Sequence, residues 1–171
     1  MTGIAPTLQT ERLTLRAPQL SDFEHWAAFF ASPRAVHERG TMARDEAYRH
    51  WAADVALWPL KGYGSFSLDD RVTGTYIGEV GIYEPEGYPE PELGWFVVPE
   101  AEGKGYAAEA ARAVMAWAQK TFGWDRLINI IDPANTRSIA LGLKLGGVID
   151  PTIAGTDPGD VVIRHDLRAR A

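Results

Sequence analysis

The chain predicts an α+β domain on a mostly antiparallel sheet with a single parallel crossover, and three observations carry that expectation. Alternating or β-branched runs at 63–68, 75–83 and 92–98 follow one another with only turn residues between them, which reads as an antiparallel meander. An alanine-rich stretch at 105–122, apolar on a wide face, follows the last run, so the β-rich run at 127–131 returns parallel to its predecessor. Two glycines flank a lysine at 103–105, where strand hands over to helix.

The elements follow in order. Residues 13–16 alternate as a short first strand. Ser21 and Glu24 have the spacing of a capping box that opens a helix running to about residue 31, which Pro33 closes. A second helix over 43–58 carries Ala47, Trp51, Val55 and Trp58 on one stripe and stops at Pro59. Between the two helices, 34–42 reads as an exposed loop. Asp69-Asp70 turns the chain after 63–68, and Gly78 and Gly81 mark bulges or close approaches in 75–83. The proline-rich segment 84–91 is a loop. Lys120 and Gly123 suit the end of the 105–122 helix. Residues 132–135 form a turn, a short helix runs to 145 and ends at Gly146-Gly147, and strands at 148–149 and 161–165 finish the chain.

Composition sets the outer limits. A chain of 171 residues suits one domain over 1–171, able to bury roughly two thirds of its unfolded surface. A net charge of −6 argues against a general nucleic-acid or anionic-membrane binder and is compatible with a cationic partner. The absence of cysteine excludes disulfides, thiolate metal sites and a cysteine nucleophile. The histidines at 25, 37, 50 and 165 lack metal-ligand spacing and are expected on the surface or on helices, with no metal. No apolar run approaches the roughly 20 residues of a membrane span, and the first 15 residues lack a signal-peptide core, which makes the cytoplasm the default expectation.

A strand feeding a glycine-rich turn at a helix start is an anion site, because the first-turn N–H groups are unpaired and lie at the positive end of the helix dipole. Several ligands fit that description. A Walker A loop needs a spacing that Gly103-Lys104-Gly105 does not supply. The dinucleotide fingerprint is formally met by Gly103, Gly105 and Ala108, which keeps an NAD-binding domain open, although the match follows a meander instead of opening a βαβ unit. A glycine turn that merely lets strand and helix pack is the bland alternative. No G-x-S-x-G supports serine hydrolysis.

The wider neighbourhood narrows the choice. Glu102-Gly103-Lys104-Gly105-Tyr106-Ala107, followed by Glu109-Ala110, resembles the acyl-CoA signature [QR]-x-x-G-x-[GA] of the GNAT superfamily of N-acyltransferases. Thr10 to Arg16, Ile77 to Gly81, Glu92 to Trp95, and Asn135 to Ser138 with Lys144-Leu145-Gly146 resemble, in order, segments of its RimJ/RimL-like branch, named for ribosomal-protein N-terminal acetyltransferases. Together they cover about residues 8 to 166. The resemblance implies the GNAT fold: a mixed, mostly antiparallel sheet of six to seven strands, a splay between its fourth and fifth strands, and four helices.

It also implies a site. Pantetheine amides would pair with exposed backbone at Trp95, Phe96 and Val97, and N–H groups of Gly103, Lys104, Gly105, Tyr106, Ala107 and Ala108 would hold the pyrophosphate, with the Lys104 side chain adding charge. Asn135 would hydrogen-bond the pantetheine arm, with Ser138 near the thioester sulfur. The implied reaction is direct attack of an amine on acetyl-CoA in a ternary complex, with Glu92 the first candidate base and Glu79 the second. For each carboxylate a solvated strand residue is the alternative, and for Ser138 a local helix cap. The chain departs from the pattern twice. Glu102 stands where Gln or Arg is usual, which predicts slightly weaker CoA affinity, and Gly142 stands where many relatives carry a tyrosine acid, leaving Ser138 to protonate the thiolate. These departures keep open a non-catalytic acyl-CoA-binding sensor. Trp51, Trp58, Tyr83 and Tyr88 fall on the acceptor side, the tryptophans as core. The acceptor is a peptide α-amine or a small polyamine or amino-sugar amine, to which acidic residues 84, 86 and 90 are suited. No nucleic acid or membrane partner is expected, and a homodimer is left open.

Overall fold

The alternation in Leu13-Thr14-Leu15-Arg16 buries both leucines completely and makes a strand of them, and the same period-two logic builds the rest of the sheet. The computed structural model describes residues 5–168. Its strands are β1 (Leu8–Gln9), β2 (Leu13–Arg16), β3 (Ser65–Asp70), β4 (Tyr76–Tyr83), β5 (Glu92–Val97), β6 (Arg126–Ile131), β7 (Val148–Ile149) and β8 (Val161–Asp166). The helices are α1 (Phe23–Phe30), α2 (Arg44–Lys61), α3 (Tyr106–Phe122) and α4 (Thr136–Lys144). All eight strands form one sheet in the order β1-β2-β3-β4-β5-β6-β8-β7.

The β3-β4-β5 meander is antiparallel, as the turn spacing required, with Gly78–Tyr83 in register against Glu92–Val97. The crossover through α3 makes β6 parallel to β5, but the two share only one paired position, Glu92 with Ile128, and then part. Alternation along β5 sends Trp95 and Val97 into the core beneath α3, and Phe96 into a separate aromatic cluster with Phe23, Trp26, Phe29, Phe30 and Trp51 of α1 and α2. The helices therefore cover opposite faces of the sheet. On the α3 face, Ala108, Ala110, Ala111 and Ala118 are buried, and side chains this small let the helix lie close against the strands.

Several expectations are corrected. The sheet has eight strands instead of six or seven, because the two-residue β1, too short to show a period, pairs with Thr14 and Leu15. That extra strand moves the parting to β5 and β6. Ser21 does not cap α1: Asp22, in a 3₁₀ turn over Leu20–Asp22, accepts from the Gln19 N–H (2.8 Å). Asp22 is buried, receiving Arg16 at 2.8 and 3.0 Å and the Ser67 hydroxyl at 2.7 Å. Pro59 does not stop α2; it sits in the last turn, where it removes one hydrogen bond, and Gly62, at φ +80°, ends the helix. Segment 34–42 is not simply an exposed loop, since Pro33–His37 forms a 3₁₀ turn around the fully buried Ala35. His165 lies on β8 with no exposure instead of at the surface. Among the described residues, no helix is long and apolar enough to cross a membrane.

Gly81 shows how closely the strands of this sheet approach. A Cβ there would lie 2.3 Å from Ser65 Cα and 2.7 Å from the Gly64 carbonyl oxygen, backbone atoms that cannot move without shifting the β3–β4 ladder. Gly81→Ala is expected to lower the unfolding free energy by about 3 kcal/mol, read from urea denaturation, and an unchanged midpoint would refute the contact.

Candidate active site

A parallel pair would normally continue its ladder past Glu92 and Ile128. Here two side chains take over the backbone groups that the parting strands leave behind. Asn129 donates its amide N–H to the Leu93 carbonyl, and the Glu92 carboxylate accepts from the Ile130 N–H at 2.9 Å. Because Asn129 donates through Nδ2, its Oδ1 accepts from His165 Nε2 (2.6 Å), which assigns the imidazole proton to that nitrogen. Buried polar groups without partners cost about 1–3 kcal/mol each, so this wedge stabilises the opening.

Above the wedge the two faces of β5 serve different spaces. Val98 N–H donates to Ile77 O on the β4 side (2.9 Å), so by strand alternation the amides of Trp95 and Val97 turn into the gap while that of Phe96 turns to β4. A groove of about 510 Å³ runs along the gap, lined by Trp95, Phe96, Val97, Gly103, Gly105, Tyr106, Ala107, Ala108, Asn135 and Ser138. A second cleft, of about 440 Å³, is walled by Phe29, Phe30, Tyr83, Tyr88 and Phe96 and carries Asp54, Glu92, Asp157 and Asp160. A narrow space of about 30 Å³ lined by Glu92, Trp95, Asn129 and Ser138 lies between them.

The head of α3 leaves its first-turn N–H groups without a side-chain cap. Gly103 and Gly105, ahead of the helix, adopt φ of +72° and +82°, which L side chains rarely do. The position of this head is held from the turn between β1 and β2. Glu109 accepts from the Thr10 hydroxyl (2.5 Å), the Arg12 N–H (2.8 Å) and Arg12 Nε (2.6 Å), and Arg12 also reaches the Lys104 carbonyl (2.9 Å). The Arg12 guanidinium lies 4.5 Å from the centre of the Tyr106 ring. The Lys104 side chain is exposed and lines neither space, whereas Lys144 lines the groove. Glu102 is held by Arg34 and, at 2.9 Å, by Arg137; burial pushes its carboxyl up, but the two arginines outweigh that and leave it below its ordinary value.

On α4, Asn135 is the N-cap, accepting from the Ser138 N–H (3.2 Å) and donating to Glu38 (3.2 Å). Ser138 Oγ accepts from the Trp95 indole N–H (3.3 Å), which leaves its own O–H free to donate elsewhere. Gly142 faces away from the groove: a Cβ there would lie 2.7 Å from Ile163 Cδ1 and 3.2 Å from Asn129 Oδ1, so the position has no room for a tyrosine. The α4 residues that line the groove are Arg137, Ser138, Leu141 and Lys144.

Of the two candidate carboxylates, Glu92 reaches the cleft and Glu79 does not. Burial pushes Glu92 up to about 8, against the Ile130 hydrogen bond. Glu79 is 1% exposed beneath the cleft floor, lines neither space, and is also pushed up to about 8, by burial and the charges of Asp54 and Asp22. Tyr83 and Tyr88 line the cleft, whereas Trp51 and Trp58 are core. Sequence reasoning missed Arg34, Arg137, Arg39, which pairs with Asp54 at 2.9 Å, and Asn129. Only Asn129 left a signal, as the lone polar residue in the apolar run Leu-Ile-Asn-Ile-Ile. Among the described residues no group of side chains is disposed to hold a metal.

A glutamate that keeps its proton to about pH 8 when folded, against an ordinary value of 4.5, makes the folded state bind more protons across that window. Stability therefore falls as pH rises from 4.5 to 8. Glu79→Gln is expected to reduce this slope, Glu92 keeping its own share, and to raise stability at pH 8.5 by about 1 kcal/mol or more, read from urea titrations at pH 5 and 8.5. An unchanged slope would sink the assignment.

Comparison with known proteins agrees with this architecture. Residues 12–148 match the sequence model of the Acetyltransferase (GNAT) domain. The acetyltransferase from Agrobacterium tumefaciens str. C58 superposes with a TM-score of 0.90 at 39% identity, covering 94% of each chain. The ribosomal L7/L12 α-N-protein acetyltransferase RimL, solved with coenzyme A, shares the fold at a TM-score of 0.73 and 15% identity, covering 94% of this chain and 98% of that one. The uncharacterized protein YkkB of Bacillus subtilis is 33% identical over 97 residues, 54% of this chain and 56% of that protein, so the match spans about half of that relative's length. The uncharacterized N-acetyltransferase YoaA of the same organism is 26% identical over 145 residues, 82% of each. The chain belongs to the GNAT acetyltransferase family.

Proposed function

We propose that the protein is an acetyl-CoA-dependent N-acetyltransferase of RimJ/RimL-like type, transferring the acetyl group to a primary amine by direct attack in a ternary complex. One observation carries this reading: a groove headed by an uncapped helix start and a carboxylate-bearing cleft meet at Trp95 and Phe96. A thioester lying along the groove reaches an amine in the cleft only through that junction. In this reading the turned-out backbone of Trp95 and Val97 pairs with pantetheine amides, and N–H groups from Gly103 to Ala108 hold the pyrophosphate. Asn135 stands beside the pantetheine arm.

The amine arrives as an ammonium and must lose a proton before its lone pair attacks the thioester carbon. Glu92 is the base. One of its oxygens is occupied by Ile130 N–H, the other remains for the proton, and a value near 8 keeps the base poised close to working pH. As the C–S bond breaks, Ser138 stabilises the thiolate with a hydrogen bond from its free O–H, its oxygen being held by the Trp95 indole, and the thiolate takes its proton from solvent. RimL is an acetyltransferase of a protein α-amine, and a peptide α-amine and a small polyamine or amino-sugar amine are the two acceptor classes for this chain.

Acetyl-CoA is expected to raise the melting temperature and NAD to leave it unchanged; stabilisation by NAD alone would overturn the reading. With a panel of amines, free CoA is released, whereas acetyl-CoA binding without any turnover would make the protein a sensor. Because Glu92 works ionised, kcat/KM rises with pH and levels off above about pH 8. Glu92→Gln should lower kcat on the order of 100-fold and remove that limb. Retained turnover would assign the base elsewhere.

A further inference from the structure

Glu102 departs from the family signature, and the structure shows what it does in this chain. Its two carboxylate oxygens are held from different walls of the groove: Oε1 by Arg34, on the 3₁₀ turn Pro33–His37, and Oε2 by Arg137, in the first turn of α4. Arg34 Nη2 also donates to the Val97 carbonyl at 2.9 Å, on the side of β5 where the ladder with β6 has been given up. The carboxylate thus bridges the groove beside the uncapped head of α3. A carboxylate between two guanidiniums has the contacts that a phosphate group would make. Arg137 is largely open to water, at 72%, and free to reorient, whereas Arg34, at 31%, is held in place by the Val97 carbonyl and by the Phe29 ring, 5.2 Å from its guanidinium.

We propose that Glu102 is an internal competitor for two phosphate-binding arginines: Arg34 and Arg137 clamp a phosphate of the donor from opposite walls, and binding exchanges the Glu102 carboxylate for that phosphate. This rests on the reading of the groove as an acyl-CoA site and adds two recognition residues to it. The exchange has one consequence. Glu102 weakens donor affinity by occupying the clamp and not only by repelling a negative charge, so its effect depends on the arginines being present.

The test uses the full chain and two donors, acetyl-CoA and acetyl-pantetheine, the second lacking every phosphate. Glu102→Gln is expected to tighten acetyl-CoA binding about tenfold, measured by calorimetry, and to leave the KM for acetyl-pantetheine unchanged. Arg137→Ala should weaken acetyl-CoA and not acetyl-pantetheine, with a larger loss in the Glu102→Gln background than alone, because there the arginine is wholly available to phosphate. Additive effects would mean that Glu102 acts by repulsion only, and equal effects on both donors would mean a structural role; either overturns the clamp. Wild-type protein that fails to bind acetyl-CoA would instead sink the acyl-CoA reading itself. Thermal melts of each variant identify any loss that comes from misfolding, and Arg34→Lys, which keeps charge but loses the fork, supplies a second variant expected to weaken acetyl-CoA alone.

Discussion

The parting of β5 from β6 is the constraint on which the rest of this structure depends. A sheet interrupted in its middle exposes backbone donors and acceptors where water is scarce, and such groups destabilise a fold unless something bonds them. Glu92 and Asn129 do so, one from each strand, and His165 fixes the amide of Asn129 from β8. The same interruption leaves the Trp95 and Val97 amides turned into open space. Stability of the wedge and availability of the groove are therefore two sides of one arrangement, and a half-buried glutamate with a buried asparagine and histidine in an otherwise apolar strand environment have a common cause.

Charge is distributed around that opening instead of being averaged over the molecule. The net charge is −6, yet the groove contains Arg34, Arg137 and Lys144 against Glu38 and Glu102, while the cleft behind Phe96 carries Glu38, Asp54, Asp132, Asp157 and Asp160 against Arg39. Local potential, focused by low-dielectric walls, decides which ligands enter. An anionic donor and a cationic acceptor meeting at Trp95 and Phe96 would each find the side of matching sign. The clamp of Arg12 and Glu109 adds a mechanical term, because it ties the glycine turn to the β1–β2 turn.

Most of the fold was legible because it rests on short-range rules. Period-two runs with turn residues between them gave the meander, and a wide apolar stripe gave α3. Where a single local rule was trusted too far, it failed. Pro59 was read as a stop, although a proline in a last turn removes only one bond. Ser21 had the spacing of a cap, but Asp22 stands at the N-cap position, and its carboxylate is spent on Arg16 and Ser67 and does not bond the helix. β1 is two residues long and has no period to detect. Around the groove, the position of the glycine turn was legible, because its backbone conformation demands a residue type, whereas the placement of Arg34 and the direction in which Gly142 faces were not, being set by neighbours distant in the chain.

By itself, then, the sequence determined the order of most elements, the antiparallel meander and its parallel return, the glycine turn ahead of α3, and the acidic residues available for base chemistry. These follow from backbone preferences and periodicity, which act within a few residues. Only the tertiary structure decided which residues face the opening. It brought Glu92 to the cleft and sank Glu79 beneath it, turned Gly142 onto Ile163, and set Glu102 between two arginines. Those outcomes depend on strand register and on contacts across tens of residues. Moving a strand by one residue exchanges its two faces, and no local pattern in the chain records which face was chosen.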